Sequence, residues 1–143
     1  MAKTSELDAA YRATTYRVFL PGGLCDLRVG QASEALRCWL ETAGCTRFAV
    51  ITAYNPGSVA TDESVNAERQ AALECDLLEG NYEPYAAQNL PDAPDAPQEE
   101  SCFVPDLAEE DACALAGDYG QNALISGGAD GVPHLVWIEE IEK

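Results

Sequence analysis

The chain reads as an α+β fold, a mixed β-sheet of six to seven strands with three helices, in a single domain over residues 1–143. Three observations predict this. Short runs of period two alternate with three stretches of helical period. The element order, β-β-α-β-α-β-β-α-β-β, lacks the regular alternation of a doubly wound sheet. Finally, 143 residues suffice for one core and bury roughly 68% of the unfolded surface.

Residues 1–13 are expected to form a flexible N-terminus. "TYRVFL" and "LCDLRV" each alternate, with Tyr16, Val18 and Leu20 on one face, then Cys25, Leu27 and Val29. Pro21-Gly22-Gly23 between them supplies a tight turn, so the pair is a β-hairpin with one polar face. "SEALRCWLETAG" follows, with Ser33 as N-cap and Gly44 where a C-cap glycine belongs. Leu36, Trp39, Leu40 and Ala43 form its apolar stripe.

Residues 48–53, "FAVITA", contain one polar group and read as a strand buried on both faces. The strand breaks into Tyr54-Asn55-Pro56-Gly57-Ser58, where Pro56 is expected to hold Asn55 extended. A second helix runs from about Asp62 to Glu79, with Asp62 and Glu63 placed favourably for the helix dipole. In "YEPYAAQ", Pro84 points to an edge strand or extended loop, and residues 89–98 read as an exposed loop rich in Pro and Asp. "ESCFV" is a strand. In the third helix Asp106 and Glu109 resemble a capping box, with Ala112 and Leu115 inward. "NALIS", a turn at Gly127–Gly131 and "VPHLVWI" form a second hairpin.

The formal net charge is −17 and uneven. Residues 1–60 carry five acids against six bases, whereas residues 61–143 carry twenty acids against only Arg69 and Lys143. Such a polyanion is repelled by phosphate backbones, which disfavours direct nucleic-acid binding. The charge serves solubility, or alternatively makes region 61–143 a docking surface for a basic protein partner, including as a mimic of nucleic acid. Acidic pairs such as Glu109-Glu110-Asp111 and Glu139-Glu140 are read as solvated faces. No apolar run reaches the ~18 residues of a membrane span, and no secretory signal opens the sequence. A cytoplasmic location is therefore expected.

Six cysteines are scattered with no C-x-x-C and one potential partner, His134, so neither zinc nor disulfides are expected. Cys25, Cys102 and Cys113 sit in apolar patterns, as buried free thiols do. His134, on a predicted strand between Pro133 and Leu135, makes a poor base for a nucleophile. Phosphate-binding loops and dinucleotide turns are absent, so no cofactor is implied. Gly127-Gly128 are explained by turn geometry. A hard-cation site from Asp76 and Glu100 remains an alternative.

Polar residues fall where apolar ones belong. On the second helix, projected at 100° per residue, Asn66 and Arg69 lie inside the arc of Val65, Ala72, Leu73 and Leu77, with Asp76 beside them. Buried polar groups need partners. Asn55, Glu99-Glu100-Ser101 and Gln121-Asn122 punctuate strand ends similarly. Taken singly, Asn55 could bond its turn, Glu100 could pair with Arg69, and Gln121 could cap a helix. Together they suit a pocket for a small polar or anionic ligand beyond the end of strand 48–53.

"ITAYNP", "NAERQAAL", "EESCFV", "YGQNALI" and "GVPHLV", in that order, resemble a bacterial family of small proteins, the domain of unknown function family 3293. The resemblance spans Tyr16 to Val136 and carries Thr52, Asn55, Pro56, Asn66, Arg69, Glu100, Ser101, Gln121 and Asn122. It implies no particular activity. The expected ligand-binding residues are accordingly Thr52, Asn55, Asn66, Arg69, Glu100, Ser101, Gln121 and Asn122.

Overall fold

The structure, a computed structural model, describes residues 2–56 and 59–138. Gly57 and Ser58 of the expected turn, and the pair Glu139-Glu140, lie outside the described residues. The elements in chain order are α1 (Ala2–Arg12), β1 (Thr14–Leu20), β2 (Gly23–Leu27), α2 (Glu34–Ala43), β3 (Arg47–Ile51) and α3 (Glu63–Glu79). Then come β4 (Tyr85–Pro91), β5 (Glu99–Pro105), α4 (Glu109–Asp118), β6 (Ala123–Gly128) and β7 (His134–Trp137). The α+β class and the order of the strands along the chain are as the sequence predicts. The helices among the described residues number four, not three, because α1 occupies the segment expected to be a flexible N-terminus.

One sheet holds all seven strands, in the order β2-β1-β4-β5-β3-β6-β7. Every pairing is antiparallel, so the expectation of a mixed sheet is corrected. The links β1–β2, β4–β5 and β6–β7 are too short for a parallel crossover, which needs a dozen residues or more. β4 is also not an edge strand, since it lies between β1 and β5. Pro84 stands just before it, and Pro91 is its last residue, opposite Thr14. Neither proline therefore removes a donor from the middle of the ladder. Residues 89–91 belong to this strand, which shortens the expected loop.

Two cores sandwich the sheet. On one face Leu36 and Leu40 of α2 pack with Val18, Phe48, Val50 and Phe103. Trp39 meets Phe103 edge-on at 5.8 Å. On the other face Leu73 and Leu77 of α3 and Ala112 and Ala116 of α4 pack on Ala49, Ile51, Cys102 and Val104. β3 is thus covered on both sides, which is why its residues are continuously apolar rather than alternating.

Ser33 caps α2 by accepting the Leu36 N–H at 3.1 Å, and Gly44 ends it at φ +75°. Asp62 caps α3 through the Ser64 N–H. The capping box expected for α4 does not form. Asp106 sits at φ +68° with its N–H on the Arg47 carbonyl at 2.8 Å, and the helix starts only after Ala108. Gly127 and Gly128 end β6 rather than make a turn. Gly127 faces Phe48, and a Cβ there would lie 2.5 Å from the Phe48 ring and from the Val132 carbonyl.

All six cysteines are unpaired, with Cys25 and Cys102 buried. Among the described residues no helix is long and apolar enough to cross a membrane.

Candidate ligand-binding site

The site is assembled where β3 leaves the ladder. Beyond Ile51 the backbone finds its partners in side chains. Thr52 donates its hydroxyl to the Glu100 carbonyl and accepts the Tyr54 N–H at 3.1 Å. Gln70 of α3 accepts the Ala53 N–H at 3.0 Å and donates to the Cys102 sulfur at 3.4 Å. Burial pushes the Cys102 thiol up to about 12, so it is an inert packing group.

Asn55 is not extended as expected; it sits at φ +48°, in the left-handed region that asparagine tolerates better than most residues. Asn66 holds it there. The Asn55 N–H donates to Asn66 Oδ1 at 2.9 Å, and Asn66 Nδ2 donates to Asn55 Oδ1 at 2.8 Å. The Thr61 N–H also reaches Asn55 Oδ1 at 2.9 Å. With its oxygen fixed, Asn55 presents its amide nitrogen to Glu99 Oε2 at 2.8 Å. Glu99 Oε1 accepts from Asn89 Nδ2 at 3.3 Å, and Asn89 Oδ1 accepts from the Ser101 hydroxyl at 2.9 Å. Register explains this chain of contacts, since Asn89 is the cross-strand partner of both Glu99 and Tyr16.

These groups form one wall of a cleft of about 350 Å³ on the α2 face of the sheet. Val50, Ala123 and Ile125 supply an apolar floor, and Leu7, Ala10 and Tyr11 of α1 form the roof. Tyr11 meets Trp137 of β7 edge-on at 5.7 Å, which docks the helix. Tyr16, on the floor, donates its phenol to the Tyr11 carbonyl at 3.2 Å, and burial holds its pKa well above the usual tyrosine value. Burial likewise raises the Glu99 carboxyl above its usual range, against the lowering effect of its bonds from Asn55 and Asn89.

Of the expected residues, Thr52, Asn55, Ser101 and Gln121 line this cleft. Asn66, 2% exposed, stands behind Asn55 and positions it. Glu100 and Asn122 do not line it. Glu100 precedes Ser101 on a strand, so the two point to opposite faces, and Glu99 occupies the role given to Glu100. Arg69 also lies elsewhere. Its Nε donates to the Ala53 carbonyl at 3.0 Å and its Nη2 to the Tyr119 carbonyl, with the guanidinium 5.6 Å from the Tyr119 ring centre. It ties the end of β3 to the end of α4 instead of pairing with Glu100. Asp76 accepts from the Tyr119 hydroxyl at 2.6 Å, and among the described residues no three carboxylate, histidine or cysteine side chains gather as a metal site.

Sequence reasoning named Glu99 in the strand-end cluster but chose Glu100 for the binding set, placed Tyr16 only on an apolar strand face, and missed Asn89 and the whole of α1. Ser101 carried the usable signal: two residues from Glu99, it shares that residue's face. A family model described as a protein of unknown function, DUF3293, matches residues 51–124. The chain belongs to the DUF3293 family. No curated protein and no solved structure matches it. The DUF3293 match runs from the last residue of β3 to the second of β6, less than the Tyr16–Val136 span of the resemblance. Its residues include the polar wall from Thr52 to Gln121, whereas the roof helix and Tyr16 fall outside it.

Proposed function

We propose that this DUF3293 chain binds a small polar molecule in the cleft between α1 and the sheet. One observation carries the reading: an apolar-floored cavity of about 350 Å³ meets a wall of polar side chains held in place by their own hydrogen bonds. Ligand sites are commonly about 300–1,000 Å³, mostly apolar, with a few fixed polar groups. A wall already ordered loses little further entropy when a ligand arrives.

The test is a thermal-shift screen of polar metabolites against wild type and Ala96→Trp. Ala96 lines the cleft from the β4–β5 loop, outside both hydrophobic cores, so an indole there fills the cavity without disturbing them. A ligand at one hundred times its Kd should stabilise wild type by about 2.7 kcal/mol and the tryptophan variant far less. Equal stabilisation of both proteins would place binding outside the cleft and refute the proposal.

A further inference from the structure

We infer that the cleft selects ligands bearing a positively charged amine or amidine, seated on Glu99; this rests on the cleft being a binding site. The hydroxyls of the wall are one-sided in their hydrogen-bonding capacity. The hydroxyls of Thr14, Tyr16, Thr52 and Ser101 all donate to oxygens of the protein, to Ala10 O, Tyr11 O, Glu100 O and Asn89 Oδ1 respectively. Their lone pairs are what they can offer to a guest. Glu99 takes one bond on each oxygen from a neutral amide, half of the four or so that a carboxylate can accept.

Among the described residues no cation balances that carboxylate from within. None of the described residues lining the cleft is basic. Arg28 is felt by the Tyr16 phenol but is already paired with Asp92 at 2.9 Å and bonded to Thr15. Arg69 is engaged by the carbonyls of Ala53 and Tyr119. A carboxylate beside an apolar floor, partnered only by neutral amides, gains most from a guest that brings the missing positive charge. A carboxylate or phosphate guest would meet like charge and few free donors. The anionic ligand expected from Arg69 is therefore disfavoured.

Three probes that differ in one group test this: phenethylamine, phenethyl alcohol and 3-phenylpropionate. The full chain, labelled with ¹⁵N, is titrated with each at neutral pH and low salt, reading the side-chain amide signals of Asn55 and Asn89. The ammonium should move these signals and bind at least about tenfold more tightly than the alcohol, and the carboxylate should bind worst. Within the Glu99→Gln variant the ammonium should lose its advantage and bind no more tightly than the alcohol.

If that variant fails to fold, the wild type alone decides. Acidification through the Glu99 titration should weaken the ammonium and not the alcohol. The other titratable groups acting with Glu99, the Tyr16 and Tyr54 phenols, stay neutral throughout that range. Equal binding of ammonium and alcohol, or preference for the carboxylate, would overturn the charge selection and leave the cleft standing. No response to any probe would overturn both.

Discussion

Replacing Asn66 by Ala perturbs the wall at its hub. Asn66 is 2% exposed and makes three side-chain bonds, accepting the Asn55 N–H and donating to Asn55 Oδ1 and to the Thr61 carbonyl at 3.2 Å. Truncation leaves the Asn55 N–H buried without a partner, at about 1–3 kcal/mol. Loss of the bond to Asn55 Oδ1 adds about 0.5–1.5 kcal/mol, and that oxygen keeps the Thr61 N–H. The Thr61 carbonyl is near enough to solvent to recover water. Alanine returns up to about 0.7 kcal/mol of helix propensity. The net cost is roughly 1–4 kcal/mol. For 143 residues at about 2.1 cal/mol/K each, that lowers Tm by roughly 3–13 °C. Thermal and urea unfolding should be followed by circular dichroism, with Glu68→Ala on the exposed side of α3 as the control. A drop below about 3 °C for Asn66→Ala, or one equal to the control's, would refute the network as the source of the order in the wall.

Further outcomes follow from other positions. Glu99 has a raised pKa in the folded state, so it binds its proton more tightly there than when unfolded. Stability should therefore rise as pH falls through the folded value toward the ordinary 4.5, and urea midpoints at pH 7 and pH 5 should show wild type gaining on Glu99→Gln. Gly120, at φ +72°, would place a Cβ 3.1 Å from that of Pro56, so Gly120→Ala should cost about 1–2 kcal/mol in the same assay. Tyr11→Ala removes the edge-on contact with Trp137 and should make the α1 amides exchange hydrogen faster while those of β3 are unchanged. A thiol reagent should label the exposed Cys38 and Cys75 at once, and the buried Cys25 and Cys102 only on unfolding; prompt labelling of Cys102 would contradict its place in the core.

Much of the fold was legible because local chemistry and tertiary role agree. Ser33 and Gly44 bound α2 as their residue types require, and the apolar run of β3 matches its burial on both faces. The misreadings occurred where context decides. Prolines beside "YAAQNL" suggest an edge, yet they stand at or outside the ends of a central strand. On α3 the buried stripe is Asn66, Gln70, Leu73 and Leu77, while Val65 is 42% exposed. Half of that stripe is polar because it faces the backbone of a strand end rather than side chains of the core. A projection anchored on apolar residues therefore turned the helix too far and drew Arg69 inward. The N-terminal helix offers only Leu7 and Tyr11 at i, i+4 as large apolar residues, too few to signal a packed face. In "EESCFV" both faces are buried further along, so alternation alone could not say which glutamate faces the cleft.

The place of β4 between β1 and β5 also sets an order of assembly. Thr14 pairs with Pro91, and on a growing chain the ribosome must add the intervening residues before that ladder can close. At about 5–20 residues per second this separation takes several seconds, whereas a hairpin forms in about 1–10 μs. The β1–β2 hairpin therefore emerges with no third strand to join, and a lone two-stranded hairpin is marginal in water. The edge of β1 that β4 will occupy stays unpaired through that interval, open to strands of other nascent chains. Synthesis of β4 closes that edge and brings Asn89 beside Tyr16, while the cleft still waits for Glu99 and Ser101 of β5 and for Ala123 and Ile125 of β6.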